Sequence, residues 1–390
     1  MIIERADRMK GVEMSRIRAT LTKCNEMKRA GIDLAMFTVG QPDFDTPQYI
    51  KDACEASIEA GHTAYAETPG SLELRTAIAK KLKTQNHVEY DPAEISVTTG
   101  AAQAAFLGMM TWLNPGDEII IPNPSYNIYS TIPLIAGATV KTYELLEENR
   151  FQIDLEQMKN LITDKTKMIV LLSPNNPIGS ILERENLEGL ADLIRDKNIV
   201  VLSDEVYERL TYGEEAVSFA SLPGMKERSI LMGGFSKAFS MTGWRVGYFA
   251  APKEMTEVMN ILSFYMTACG VTFTQEAARV ALEEEDGSLE HMRKEFEKRR
   301  DYIVAEINKT KHFHALMPKG AFYVFMNIKA SGMTSGEFCD KMLNDYRCSF
   351  IPGDVFGSAG EGFVRLSYAS SMENLQRLVV ALNDLDAKLG

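Results

Sequence analysis

The chain has 390 residues, 45% apolar and 25% charged, an ordinary globular composition that needs no disulfide or metal staple at this length. At about 150 residues per domain it has room for two to three domains, or one large α/β domain with an appendage. With 42 basic and 54 acidic residues the net charge is −12, which argues against a phosphate-backbone partner or an anionic membrane surface but allows a local anion pocket.

The opening run MIIERADRMKGVEMSRIRATL is charged throughout and lacks an uninterrupted apolar core, so no signal peptide is expected. The first 40 or so residues do not fit the pattern that follows. They are expected to lie against a smaller domain or a partner chain. From residue 94 the chain alternates short β-branched runs with helical patterns. EISVTTG (94–100) predicts a strand, and AAQAAFLGMMTWL (101–113) an Ala-rich helix. DEIIIP (117–122), KMIVLLS (167–173), NIVVLSD (198–204) and SILMGG (229–234) are further strand candidates. Three of them are continuous apolar runs, as in strands buried on both faces. Between them RENLEGLADLIRDK (184–197) has helical spacing, with Leu187, Leu190, Ala191 and Ile194 on one stripe. ILSFYMTACGVTF (261–273) is too short and too broken to span a bilayer.

Near residue 287 the pattern changes. SLEHMRKEFEKRRDYIVAEINKT (288–310) predicts a long charged helix. Short strands are predicted at HFHAL (312–316), AFYVFMNI (321–328), CSFIP (348–352) and FVRLSYA (363–369), and a final amphipathic helix at MENLQRLVVALNDLDAKL (372–389). The expected fold class is therefore α/β, with a mainly parallel sheet sandwiched by helices and a smaller α+β domain. The expected division is an N-terminal arm joined to the small domain (1–44), a large domain (45–287) and a small C-terminal domain (288–390).

Cys24, Cys54, Cys269, Cys339 and Cys348 are odd in number and widely spaced, which argues against a disulfide framework or zinc site and for a reducing cytosol. His312 and His314 form an H-x-H with no evident third ligand, so no metal is expected.

In an open α/β sheet, ligands bind outside the carboxyl ends of the strands. Strand 94–98 runs into Thr99-Gly100-Ala101-Ala102 and a helix, where small residues let backbone N–H groups approach an anion. The next strand ends lead to Tyr126, to Asn175 and Asn176, to Asp204 with Tyr207, and to Ser236 with Lys237. Each has a plain structural account when taken alone: a tight turn, turn chemistry, a helix cap, a packing aromatic, a surface lysine. Their arrival at successive strand ends is the informative event. No G-x-G-x-x-G follows a strand, and no G-x-x-x-x-G-K-[ST] exists, so neither a dinucleotide nor a nucleoside triphosphate is indicated. A small phosphate ester with an aromatic body and a carbonyl open to lysine attack fits; pyridoxal 5′-phosphate has those features.

The run SKAFSMTGWRVGY (236–248) resembles the lysine signature of class I/II aminotransferases, the fold type I pyridoxal-phosphate enzymes. GQPDFDTP (40–47), AYAETPGSLELR (64–75), SPNNPIG (173–179), SDEVYERL (203–210) and FVRLSYA (363–369) resemble the same family in the same order. The resemblance implies that Lys237 is the Schiff-base lysine. It implies that Arg245, Ser236 and the amides of Gly100, Ala101 and Ala102 hold the cofactor phosphate. Tyr126 would stack on the pyridine ring, Asp204 pair with its nitrogen, and Asn176 and Tyr207 bond its 3′-oxygen. Arg365 would hold the substrate α-carboxylate, and Gly40 would cover it. Tyr65 would reach the phosphate of a neighbouring subunit, which implies a homodimer with shared sites. Three residues before the lysine the family often has a hydroxyl; here that position is Gly234, so one phosphate contact is missing or supplied elsewhere.

The implied reaction moves an amino group from an amino acid to a 2-oxo acid by ping-pong kinetics through pyridoxamine phosphate, with Lys237 as general base. Some aspartate-specific relatives carry a lysine just after the nest glycine. GAAQAA (100–105) has no basic residue, which favours a neutral or aromatic donor with 2-oxoglutarate as acceptor over an aspartate aminotransferase. Arg16, Arg18 and Lys23 would be the source of a second positive charge, although an exposed helix face is their plainer account. A pyridoxal-phosphate C–S β-lyase and a non-catalytic pyridoxal-phosphate sensor module are the competing functions.

Overall fold

The computed structural model describes residues 4–390, and its central feature is a seven-stranded sheet. The strands of the protein are β1 (Ala35–Met36), β2 (Ile95–Thr98), β3 (Glu118–Asn123), β4 (Thr139–Glu144), β5 (Thr166–Leu172), β6 (Val200–Asp204), β7 (Ser229–Gly234), β8 (Gly247–Ala250), β9 (Tyr323–Asn327), β10 (Cys348–Ser349), β11 (Ile351–Pro352) and β12 (Phe363–Ser367). The sheet order is β2-β8-β7-β6-β5-β3-β4. Only β8 runs against its neighbours β2 and β7. The other pairings are parallel, as the βαβ alternation predicts.

The helices are α1 (Arg16–Arg29), α2 (Gln48–Glu59), α3 (Leu72–Gln85), α4 (Ala101–Trp112), α5 (Ile128–Ala136), α6 (Leu155–Leu161), α7 (Arg184–Ile194), α8 (Lys253–Thr267), α9 (Thr272–Glu283), α10 (Ser288–Ile307), α11 (Ser335–Tyr346) and α12 (Met372–Leu389). The continuous apolar strands feed two cores at once, because successive side chains point to opposite faces. Met168, Val170 and Leu172 pack with residues of α4, α5 and α8. Ile169 and Leu171 pack with Met158 of α6 and with the Leu187, Leu190, Ala191 and Ile194 stripe of α7. Each such side chain, once fully buried, contributes about 1.5–3 kcal/mol. A third cluster joins α2, α3, α9 and the edge strand β2 to α10, α12 and the antiparallel sheet β11-β12-β9.

The N-terminal segment joins the C-terminal region: β1 pairs in parallel with β10, and Arg299 on α10 makes two 2.8 Å bonds to the Asp43 carboxylate. Two expected strands are corrected. HFHAL (312–316) forms only an isolated bridge, His314 to Asn327. The N–H groups of His312, Phe313 and Ala315 are taken by side chains instead. Lys311 and His312 donate to Asp386, Phe313 to Thr310 Oγ1 and Ala315 to Asn308 Oδ1. CSFIP (348–352) splits into β10 and β11, which belong to different sheets. Sequence reading also passed over β1, β4 and β8. No described helix is long and apolar enough to cross a membrane.

Candidate active site

The carboxyl ends of β2, β3, β5, β6 and β7 lie along one edge of the large sheet. The antiparallel β8 begins at that same edge, so Arg245, two residues before it, arrives beside residues that follow the parallel strands. They open into a cavity of about 580 Å³. Its lining includes Gly40, Ala101, Ala102, Tyr126, Asn176, Asp204, Tyr207, Ser236, Lys237, Arg245 and Arg365. Gly100 caps the N-terminus of α4 just behind them. Of the residues singled out from the sequence, Tyr65, at 90% exposure, and Arg16, Lys23 and Asn175 do not line this cavity.

The end of α4 is built for an anion. By helix geometry its first N–H groups lack intrahelical partners. Gly100 has φ +77°, and a Cβ there would sit 2.5 Å from Arg245 Nη2. A Cβ on Gly247 would meet the Ala101 nitrogen at 2.6 Å. Both glycines therefore let a helix terminus and a guanidinium approach closely. Arg245 itself adopts φ +56°, a left-handed conformation costly for a non-glycine residue. Its Nη1 donates to the Thr242 carbonyl at 3.0 Å.

Asp204 closes the middle of the edge. Tyr129 Oη donates to its Oδ2 at 2.5 Å, and the Val206 N–H donates to Oδ1 at 3.2 Å. Burial pushes the Asp204 carboxyl up; the Tyr129 and Val206 bonds and the Lys237 charge pull it down. Burial drives the Tyr129 hydroxyl well above its ordinary value, so it stays a donor.

Lys237 Nζ donates to the Gly40 carbonyl at 2.5 Å and lies 5.9 Å from the centre of the Tyr207 ring. Burial, then the Arg365 and Arg245 charges, lower its amine to about 8, against the opposing pull of Asp204. Such an amine is largely a nucleophile at mildly alkaline pH. The loop that carries it is tied down by the N-terminal segment. Thr46 Oγ1 donates to the Ser240 carbonyl at 2.8 Å and accepts from Trp244 Nε1 at 3.0 Å.

Arg365 reaches in from β12. Its Nη1 donates to Asn176 Oδ1 at 2.9 Å and its Nη2 to the Thr38 carbonyl at 2.8 Å. The guanidinium lies 4.5 Å from the Tyr323 ring centre and 5.1 Å from that of Phe356. Its Nε is buried without a hydrogen-bond partner. A buried donor left open in this way is costly unless a ligand takes it.

Sequence reading missed Tyr129 and Tyr323. Tyr323 Oη lies 2.9 Å from Tyr207 Oη. A signal for it exists in the strand pattern. Tyr323 pairs in register with Ser367, two residues from Arg365, which places the two side chains on one face. Reading also treated the basic N-terminal residues as a plain exposed helix face. All three are exposed, and Arg18 also lines the cavity, together with Met14, Ile17 and Leu21.

The donor set suits pyridoxal 5′-phosphate. Helix amides, Ser236 and Arg245 fit a dianion, Asp204 a ring nitrogen, Asn176 and Tyr207 a ring oxygen, and Lys237 a carbonyl.

A model of the family described as aminotransferase class I and II matches residues 32–382. An aspartate aminotransferase from Pyrococcus abyssi (strain GE5 / Orsay) is 42% identical over 375 residues, 95% of each chain. An aromatic-amino-acid aminotransferase 2 from Thermococcus litoralis is 39% identical over 375 residues, again 95% of each chain. The crystal structure of an aromatic aminotransferase from Pyrococcus horikoshii OT3 matches with TM-score 0.89 at 40% identity, covering 94% of this chain and 100% of that one.

Proposed function

The chain belongs to the class I and II aminotransferases, which act on amino acids and 2-oxo acids with pyridoxal 5′-phosphate, and on that premise we propose the residue roles, substrate preference and assembly that follow. Bound in the cavity, the cofactor supplies an electrophilic carbonyl and a ring that withdraws electrons from the substrate α-carbon. Ser236, Arg245 and the amides of Gly100, Ala101 and Ala102 hold its phosphate. Tyr126 covers its ring, Asp204 pairs with the ring nitrogen, and Asn176 and Tyr207 hold the ring oxygen. Arg365 takes the substrate α-carboxylate, with Gly40 beside it. Lys237 Nζ would be the covalent anchor and, once released, the base that takes the α-proton of the donor across to the cofactor and, in the second half of the exchange, delivers a proton to the α-carbon of the acceptor. A carboxylate facing a protonated ring nitrogen also answers the cost of burying Asp204 without a cationic partner. The observation that carries this reading is the convergence of Lys237, Asp204, Arg245, Arg365 and the α4 N-terminus on one cavity.

The proposed donor is a neutral or aromatic L-amino acid, and the acceptor a 2-oxo acid such as 2-oxoglutarate. Ile17, Leu21, Ile128 and Ile132 give the cavity apolar walls for such side chains. The relatives named above carry both aspartate and aromatic names, so they do not decide the donor. A panel of donors assayed with 2-oxoglutarate, beside ammonia release from cystathionine, tests the proposal. Ammonia release without keto-acid exchange would replace it with a lyase.

The proposed assembly is a homodimer. Val258, Ile261 and Tyr265 form an exposed apolar stripe on α8. A second copy of the chain would cover it and bring its own Tyr65 to the exposed side of Arg245. Light scattering tests the assembly, and a monomer at working concentration would contradict it. The proposed domains are 45–287, which carries the cofactor edge, and 288–390 with the arm 1–44. All five cysteines are free, which fits the proposed cytoplasmic location.

A further inference from the structure

The turn that follows β6 presents two faces. Asp204 and Tyr207 line the cavity, whereas Glu205 and Glu208, each one position further along, are held outside it by a closed polar cluster. Glu205 Oε1 accepts from Ser203 Oγ at 2.9 Å and from Ser218 Oγ at 2.8 Å. Its Oε2 accepts from Asn86 Nδ2 at 2.9 Å, and the same amide nitrogen donates to Glu208 Oε2 at 2.5 Å. Lys81 Nζ, from α3, donates to Glu208 Oε1, to Asn86 Oδ1 at 2.8 Å and to Tyr248 Oη at 3.3 Å. Glu205, Asn86 and Lys81 are buried. Among the described residues no second cation enters. Arg209 turns to Gln85 and Glu285, and Lys226, over the Tyr90 ring, is bonded to Glu94 at 2.9 Å. Burial raises the Tyr90 and Tyr248 hydroxyls and the nearby carboxylates add to the rise, so both stay neutral. The cluster therefore sets two carboxylates against one ammonium.

We propose that Glu205 and Glu208 share one proton, and that this pair, held by Lys81 and Asn86, is the positioning unit that keeps Asp204 and Tyr207 against the cofactor. The positioning role rests on the aminotransferase reading; the shared proton does not. Two carboxylates that meet on one amide nitrogen, away from water, cannot both ionise cheaply beside a single ammonium. Burial first, then the Glu208 charge, push the Glu205 carboxyl up to about 7, against the pull of Ser218, Ser203 and Lys81. Burial lowers the Lys81 amine, and the Glu208 and Glu205 charges oppose that. The proton belongs to the pair and not to either residue. The Ser203 and Ser218 hydroxyls can turn from donor to acceptor when it sits on Glu205. With the proton in place the cluster is neutral. Without it, one uncompensated negative charge stands behind the turn. The backbone carries that strain to the cofactor side: the Glu205 N–H donates to the Met232 carbonyl and the Glu208 N–H to the Glu205 carbonyl, both at 3.0 Å. Asp204 and Tyr207 lie on this same short turn.

The test uses the holoenzyme with Glu205→Gln, which keeps the shape of the protonated acid and removes its charge change. Infrared spectra of wild type minus variant should show one carboxylic-acid C=O band that disappears as pH rises through about 7. Glu208→Gln should remove the same band, because either substitution leaves one carboxylate for the one ammonium. The positioning role is read from the dissociation constant of pyridoxal phosphate. The ratio of the wild-type constant to that of Glu205→Gln should rise about three- to tenfold across the same pH step, the contribution of Lys237 being common to both proteins. Glu205→Ala strands Asn86, Ser203 and Ser218, and should weaken cofactor binding about tenfold at every pH with far-UV circular dichroism unchanged. No titrating acid band, or a band that persists in both glutamine variants, would overturn the shared proton. A dissociation ratio that is flat in pH would overturn the positioning role. A protein that binds no pyridoxal phosphate would overturn that role together with the parent reading, while the infrared band would still report the proton.

Discussion

The two walls of the cavity are built to different standards. Toward the cofactor, every residue of β5 except Lys167 is buried, as are all of β6 and β7 up to their last residues. Toward the substrate side chain, α1 has one buried residue, Cys24, which packs with Leu34 and Leu343. The first wall holds groups that must meet reacting atoms within a fraction of an ångström. The second offers only a charge and some apolar surface. One wall of the cavity belongs to the buried sheet, and the other includes an element with a single buried residue.

That contrast predicts losses of very different size. Lys237→Ala should lower transamination by about 10⁴-fold, the upper range for removal of a proton-transfer group, and abolish the visible cofactor band. Far-UV circular dichroism should not change. Retained turnover would place the chemistry elsewhere.

Arg365→Ala is the next largest. Losing its bonds to a carboxylate costs about 1.5–3 kcal/mol, roughly 10- to 100-fold in kcat/KM, and equally for every amino acid and oxo acid. A loss confined to dicarboxylates would reassign Arg365 to the substrate side chain.

A pH measurement sharpens the same contrast. Burial, Arg365 and Arg245 lower the Lys237 amine to about 8, and Asp204 opposes them. Only the neutral amine attacks a carbonyl. Cofactor-free protein should therefore take up pyridoxal phosphate faster as pH rises through about 8. Asp204→Asn removes the charge that holds the proton on, so the midpoint should move to lower pH. A midpoint that stayed or rose would contradict the assigned coupling.

The smallest expected effect is a gain. A Cβ on Gly234 would meet Gly247 Cα at 3.6 Å and the Val246 carbonyl at 3.7 Å, ordinary contact. Gly234→Ser should fit and give the phosphate another donor, slowing cofactor release by roughly three- to tenfold. Faster release would show that the hydroxyl faces away from the phosphate.

The cofactor wall was legible in the sequence because strand ends are marked by apolar runs that stop at polar residues. Asp204, Asn176 and Lys237 could each be placed by counting from such a run. Arg245 could be placed only by resemblance, since the four-residue β8 was hidden inside a motif and its reversed direction is what brings that residue to the edge. Tyr129 was hidden for another reason. It follows Tyr126 by three residues on a segment whose helical character, with Pro133 inside it, was not evident. The motif GQPDFDTP (40–47) was recognisable as a pattern but not as a set of contacts. Its Asp43 binds Arg299 and its Thr46 anchors the lysine loop, pairings across 256 and 194 residues. That Arg18 lines the cavity depends on where a sparsely packed helix comes to rest, which no local spacing encodes.

The central claim is a covalent bond at one amine, and reduction with borohydride tests it most directly. Treated with borohydride and digested, the purified holoenzyme should yield one pyridoxyl-modified peptide, with the added mass on Lys237. A modification on a different lysine, or none in protein that still transfers amino groups, would contradict the account.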